Sequence, residues 1–135
     1  RRDDAPWNAA RRPERKPMLT DPQTLTVNSI AKSMARINQD NNSAVYRLRS
    51  STDELVLSIK HSDGKIVGGQ FGEGHVVKVE YLVFATSTTP QLRLATWLVI
   101  QNPDAMDLTV VKNHVLALCA FATSANIDKF LNGES

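Results

Sequence analysis

The stretch His75-Val76-Val77-Lys78-Val79-Glu80-Tyr81-Leu82-Val83-Phe84 decides how the rest of the chain is read. Side chains on a β-strand alternate between two faces with period two. Val77, Val79, Tyr81 and Val83 therefore share one wholly apolar face, and Val76, Lys78, Glu80 and Leu82 share the other. The β-branched and aromatic content suits a pleated, half-buried surface. One side of this strand needs a core; the other presents a Lys and a Glu.

Downstream, Thr86-Ser87-Thr88-Thr89-Pro90 is a polar loop, and Gln91 to Gln101 is the next strand. Leu92, Leu94, Thr96, Leu98 and Ile100 match the apolar face, which leaves Arg93, Ala95 and Trp97 on the charged one. Asn102-Pro103-Asp104 then marks a helix start, with Asn as cap and Pro at the first helical position. Leu108, Val111, Val115, Leu118 and Ala122 follow at helical spacing. Ser124 is expected to cap a short second helix containing Ile127, Phe130 and Leu131, with Gly133 as its stop.

Upstream, Glu54 to His61 is a strand with Leu55, Leu57 and Ile59 on one side and Glu54, Val56, Ser58 and Lys60 on the other. Ser62-Asp63-Gly64-Lys65 carries an Asp-Gly turn signal. Gly68, Gly69, Gly72 and Gly74 follow, but the next segment is a strand and not a helix, so a phosphate-cradling loop is excluded in favour of a hairpin connection. Ala44 to Ser50 is a strand in which Val45 and Leu48 fall on opposite parities, which points to a bulge. Thr24 to Ile30 and Lys32 to Ile37 form a hairpin bent near Asn28 and Ser29, and Asn38 to Ser43 is a loop. The order, about six strands and then two helices, predicts an α+β fold: an antiparallel β-sheet with an N-terminal hairpin and two C-terminal helices.

The length of 135 residues fits one domain. Residues 1–17 hold six basic and three acidic residues with Pro6, Pro13, Pro17 and Trp7, and read as a basic extended arm. The remaining 18–135 hold ten basic and eleven acidic residues, with hairpin and sheet over 24–101 and helices over 103–132. The arm is expected to dock on a neighbouring subunit through Trp7; the alternative is an extension ahead of a start at Met18. The longest wholly apolar run, Val115 to Ala122, is far short of the ~20 residues of a membrane span. No secretory signal follows the N-terminal arginines, and a lone Cys119 forms no internal disulfide and no Cys-based zinc site.

One chain does not supply enough helix. A sheet of five or six strands spaced ~4.8 Å apart is roughly 25 Å wide, whereas a helix is ~10–12 Å across. Leaving Leu55, Leu57, Ile59, Val77, Val79, Tyr81 and Leu94 partly wet costs ~25 cal/mol per Å². An intertwined two-fold dimer, with the helices of one chain on the sheet of the other, resolves the deficit.

This layout resembles the coat protein of single-stranded RNA bacteriophages over roughly Met18 to Asn132. Its most specific piece is Val76-Val77-Lys78-Val79-Glu80, which looks like the family strand that turns a Lys and a Glu toward RNA. The loop Thr86 to Gln91 falls where the family gathers loops around capsid symmetry axes, and Asn102-Pro103 where its helices begin. The resemblance implies dimers that assemble into an icosahedral shell in the host bacterial cytoplasm, with the sheet lining the interior of the virion. It implies contact with genomic RNA and translational repression through an RNA hairpin. Carried over by position, the RNA-facing candidates are Glu54, Val56, Ser58 and Lys60, then Val76, Lys78 and Glu80, then Arg93, Ala95 and Trp97. Val56 and Val76 stand where the family often has small hydroxyl residues, and the basic arm is not a general family feature.

Lys60 and Lys78 suit phosphate, since backbone charge dominates nucleic-acid affinity; paired with Glu54 or Glu80 they are instead an ordinary solvated face. Trp97 suits base stacking, or packing at a sheet edge or dimer seam. Arg47, Arg49 and Arg93 are intermediate. No catalytic role, cofactor or metal is expected: His61, His75 and His114 lie on separate elements, and no nucleophile elbow or carboxylate pair is visible. Two other functions share this layout: a cellular dimeric RNA-binding regulator without a shell, and a small enzyme whose site forms at a dimer interface near His75 or His114.

Overall fold

A computed structural model describes residues 19–135. The arm, with Trp7 and Met18, lies outside the described residues. Six strands follow one another in space as in sequence: β1 (Gln23–Val27), β2 (Ile30–Gln39), β3 (Ser43–Arg49), β4 (Asp53–Lys65), β5 (Phe71–Val83) and β6 (Leu92–Pro103). Every neighbouring pair is antiparallel. Two helices complete the chain, α1 (Leu108–Phe121) and α2 (Ser124–Leu131).

The β1–β2 hairpin turns at Asn28 and Ser29, whose φ values of 51° and 64° are those of a two-residue primed turn. The bulge expected in the third strand sits opposite it instead. The β2–β3 register steps between Arg36 and Asn38, so Ile37 is the extra residue. This leaves Ala44 and Tyr46 of β3 buried on the apolar face and Val45 on the other, which settles the facing that the sequence left open.

The β4–β5 hairpin is longer than its turn signals suggest. Ser62-Asp63-Gly64-Lys65 is strand, paired through Lys65↔Phe71, and the reversal is made by a 3-10 turn at Val67–Gly69. Gly68 and Gly69 have φ values of 84° and 76°, which favour glycine. The Asp-Gly signal failed because the ladder continues on both sides of it. Gly72 has a different reason to be glycine. A Cβ there would lie 2.2 Å from the carbonyl oxygen of Asn102, where β6 crosses closely.

Asn102-Pro103 likewise does not start a helix. β6 runs through both, Gly72 faces Pro103, and Asn102 is buried. Pro is tolerated there because β6 is an edge strand and needs no outward N–H partner. The cap is Asp107, whose carboxylate accepts from the Thr109 N–H at 3.0 Å. In α2 the cap is Thr123, one residue before Ser124. Gly133, at φ 77°, ends α2 as expected.

The register aligns Leu57 with Val79 and Thr96, Leu55 with Tyr81 and Leu94, and Ile59 with Val77 and Leu98, so the apolar face is continuous across β4, β5 and β6. The sheet curls at its β1–β2 end. Met34 and Tyr46 are fully buried there, with Leu25, Leu55 and Leu57 packed around them. The Tyr46 hydroxyl accepts from Arg36 Nε at 3.3 Å and donates to the Leu19 carbonyl at 3.4 Å, so its burial leaves no orphaned polar atom. The hairpin tip, with Val27, Ile30 and Lys32, faces Leu48, Leu55, Val79, Tyr81 and Leu94 across a hollow of about 460 Å³.

The helices do not fill that hollow. No residue of either helix is buried. Val111 and Val115 of α1 are half-buried beside a hollow next to β6, whereas Leu108, Leu116, Leu118, Phe121, Phe130 and Leu131 are exposed. Phe121 and Phe130, with ring centroids 6.0 Å apart, tie the helices to each other rather than to the sheet. Among the described residues no single helix is long and apolar enough to cross a membrane.

Gly72→Ala should cost on the order of 1–3 kcal/mol, the usual range for an overpacked site. The urea midpoint measures it, and an unchanged midpoint would mean that β6 does not approach β5 so closely at this end.

Candidate nucleic-acid interface

The face opposite the apolar one is built in rows by strand register. Glu54 lies between Arg49 and Leu82, and Leu82 faces Arg93. Val56 lies between Arg47 and Glu80, and Glu80 faces Ala95. Ser58 lies between Val45 and Lys78, and Lys78 faces Trp97. Lys60 lies between Ser43 and Val76, and Val76 faces Val99. All ten positions named from the sequence as candidates for this face thus share one surface, together with Arg47 and Arg49.

Five cations, Arg47, Arg49, Lys60, Lys78 and Arg93, stand among two carboxylates, and the carboxylates are engaged. Lys78 Nζ is 2.6 Å from Glu80 Oε1, and Arg93 Nη1 is 3.6 Å from Glu80 Oε2. Arg47 Nε is 3.6 Å from Glu54 Oε1. The hydrogen bond from Lys78 holds the Glu80 carboxyl below its ordinary range, opposed by partial desolvation and helped by the charges of Lys78 and Arg93. Lys78 is therefore paired along its own strand, at i+2, and not across to a neighbour. Lys60 is exposed, and its charge adds to the backbone hydrogen bond from Asn42 and the contact with Ser43 that lower the Asp40 carboxyl. Arg49 places its guanidinium 5.3 Å from the Phe84 ring centroid. Trp97 is 62% exposed, at the β6 edge beside Lys78.

Thr86, Ser87, Thr88, Thr89 and Pro90 are all exposed, in a loop that hydrogen-bonds to itself. The Thr86 N–H donates to the Thr89 carbonyl at 2.9 Å, and the Thr89 N–H donates to Thr86 Oγ1 at 3.0 Å. The loop connects β5 to β6.

Sequence reasoning missed two clusters on the apolar face. His61 and His75 are on separate strands but directly opposite each other, with Nδ1 atoms 2.8 Å apart. Glu73 Oε2 lies 3.2 Å from His75 Nε2. Aligning Leu57 with Val79 by their shared apolar face would have placed the two histidines together. Among the described residues no group of three or more His, Cys, Asp or Glu is arranged to hold a metal. The second cluster is Asp53, which accepts from Ser50 Oγ at 2.6 Å and from the Tyr81 hydroxyl at 2.8 Å. These bonds lower the Asp53 carboxyl and raise the Tyr81 hydroxyl.

A six-stranded antiparallel sheet followed by two C-terminal helices is also the fold of solved bacteriophage coat proteins. The chain is similar in fold to the solved "Bacteriophage EMS014 coat protein", with a TM-score of 0.61 and 18% identity over 80% of this chain and 79% of that one. It is also similar to "Virus-like particle of bacteriophage GQ-907", with a TM-score of 0.51 and 11% identity over 86% of this chain and 93% of that one. No match is found among curated protein sequences. The family described as "Phage phiCb5, coat protein" matches residues 20–103, and the chain belongs to it. It is a structural protein of the virion capsid.

Removing Lys78 should release Glu80. In Lys78→Ala the Glu80 carboxyl is expected to titrate higher than in the parent, and in Arg93→Ala higher by a smaller step, by carboxyl-carbon NMR. Equal midpoints in all three proteins would mean that the Lys78 contact does not persist in solution.

Proposed function

We propose that the chain acts as a two-fold dimer that assembles into a closed icosahedral shell and holds single-stranded genomic RNA on the inner, charged face of its sheet. The observation that carries the dimer is a pair of matching deficits. The helices bury no residue of their own, and the apolar sheet face carries Leu92 and Leu94, each 60% exposed, beside an open hollow. A second copy related by a two-fold axis supplies helix to each sheet and sheet to each helix. Its β6, also an edge strand, offers the backbone partners that this β6 lacks.

RNA on the other face is supported by its five cations and by Trp97, a platform of the kind that unpaired bases use. Val56 and Val76 offer apolar contact where a hydroxyl would offer hydrogen bonds. Translational repression through a hairpin is the finer reading of the same surface, with Ser58, Lys60 and Lys78 in phosphate or sugar contact and Glu54 and Glu80 as acceptors. Assembly in the host bacterial cytoplasm around the genome follows from that reading. The loop Thr86 to Pro90, exposed and braced by its own hydrogen bonds, is suited to contacts between dimers. The arm at 1–17 belongs with the same inter-subunit contacts.

Expression of the chain alone should yield uniform closed shells that contain host RNA, seen by electron microscopy. Only soluble dimers, across a range of salt and RNA conditions, would contradict shell formation. Lys60→Ala combined with Lys78→Ala should weaken RNA binding while dimers persist. The slope of log affinity against log salt should become shallower by about one for each phosphate that is no longer neutralised. Unchanged filter-binding curves would remove RNA from this face.

A further inference from the structure

Three of the five cations on the charged face already have a carboxylate within 3.6 Å: Arg47 with Glu54, and Lys78 and Arg93 with Glu80. Glu80 differs from Glu54 in its position. It lies on β5, between the uncharged Val56 and Ala95, and takes one cation on each carboxylate oxygen. Its side chain is 25% exposed and that of Lys78 is 32% exposed, so the pair is shielded from water more than a surface ion pair is. A phosphate that approaches Lys78 meets a carboxylate already at hydrogen-bond distance from the ammonium and competes with it for that cation.

Resting on the reading of this face as the RNA surface, we propose that Glu80 is its selectivity residue, a built-in competitor for phosphate that makes charge alone insufficient for binding and favours RNA with unpaired bases.

The physical reason is an exchange. Carboxylate and phosphodiester each carry one negative charge, so replacing one by the other at Lys78 and Arg93 returns little free energy. The freed Glu80 also gathers a cation from solution, which cancels part of the counterion release that drives polyanion binding. A partner must add something that Glu80 does not compete for. Trp97 offers it: exposed, across from Lys78 and diagonal to Glu80 on the same face. Its indole can stack on an unpaired base but not on one held inside a duplex. Duplex RNA brings phosphates only, and meets the competitor with no compensation.

The test compares full-length parent and Glu80→Gln protein by filter binding to two probes with equal numbers of phosphates, an unstructured oligoribonucleotide and a perfect RNA duplex. Glutamine keeps the shape and removes the charge. The parent should prefer the unstructured probe. Glu80→Gln should tighten duplex binding by roughly three- to thirtyfold, the range that two part-exposed ion pairs imply. Its salt slope on duplex should steepen by about one to two, and the preference should shrink. Trp97→Ala in the Glu80→Gln background should weaken the unstructured probe alone. An unchanged ratio between the probes, or weaker binding to both, would overturn the role of Glu80. Should Glu80→Gln not fold, Glu80→Thr carries the same comparison with the same readings. Lys60→Ala with Lys78→Ala separates the two levels. If that variant leaves both probes unaffected, the RNA surface itself is misplaced; if it weakens both while Glu80→Gln leaves the ratio unchanged, only the selectivity role fails.

Discussion

Apolar surface that no other described residue covers governs this molecule. Leu92 and Leu94 on the sheet, and Leu116, Leu118, Phe121, Phe130 and Leu131 on the helices, are all exposed. Each such side chain gains about 1.5–3 kcal/mol on full burial. Among the described residues the buried core consists of Met34, Ala44, Tyr46, Leu55 and Leu57, gathered at the β1–β2 end. That cluster is small for a domain of this length, whose stability is a narrow margin between large opposing terms. Among the described residues nothing covers this surface of β6 and the helices, and the proposed dimer would supply cover on both sides at once.

The same sheet divides its labour by parity. Because side chains alternate, the apolar residues and the residues proposed to meet RNA are interleaved along β4, β5 and β6 without mixing. A register slip of one residue would exchange the two faces. The thirteen paired positions of β4 and β5 and the close approach of Gly72 to Asn102 hold that register. On the charged side, pairing restrains the cations: Lys78, Arg93 and Arg47 have carboxylate neighbours, whereas the charge of Lys60 helps to lower the Asp40 carboxyl. The surface is thus only mildly basic in effect, and Trp97 stands out as its main uncharged resource.

The strand faces could be read from residue type because alternation is local: Val77, Val79 and Tyr81 against Lys78 and Glu80 needs no tertiary information. The hairpin turn at Asn28 and Ser29 and the stop at Gly133 were legible for the same reason. Boundaries set by distant contacts were not. Asn102-Pro103 carries every local mark of a helix start, but the ladder to Gly72 and Glu73 holds it as strand and moves the cap to Asp107. Asp63-Gly64 carries a turn signal that pairing with Gly72 and Glu73 overrides. The membership of the charged face was visible in sequence, but its internal pairing was not, because i+2 contact between Lys78 and Glu80 depends on side-chain conformations chosen in the folded sheet. The His61–His75 contact needed the β4–β5 register as well as the parity.

The central claim is that one chain is half of a folding unit. Sedimentation equilibrium of the RNA-free protein at micromolar concentration, under conditions where shells are dissociated, tests it most directly, with Leu94→Glu as the companion variant. A dimer mass for the parent, with monomer appearing only together with loss of secondary structure and with Leu94→Glu shifted toward that unfolded monomer, is the predicted result. A monomer that retains the full circular dichroism of sheet and helix would contradict it.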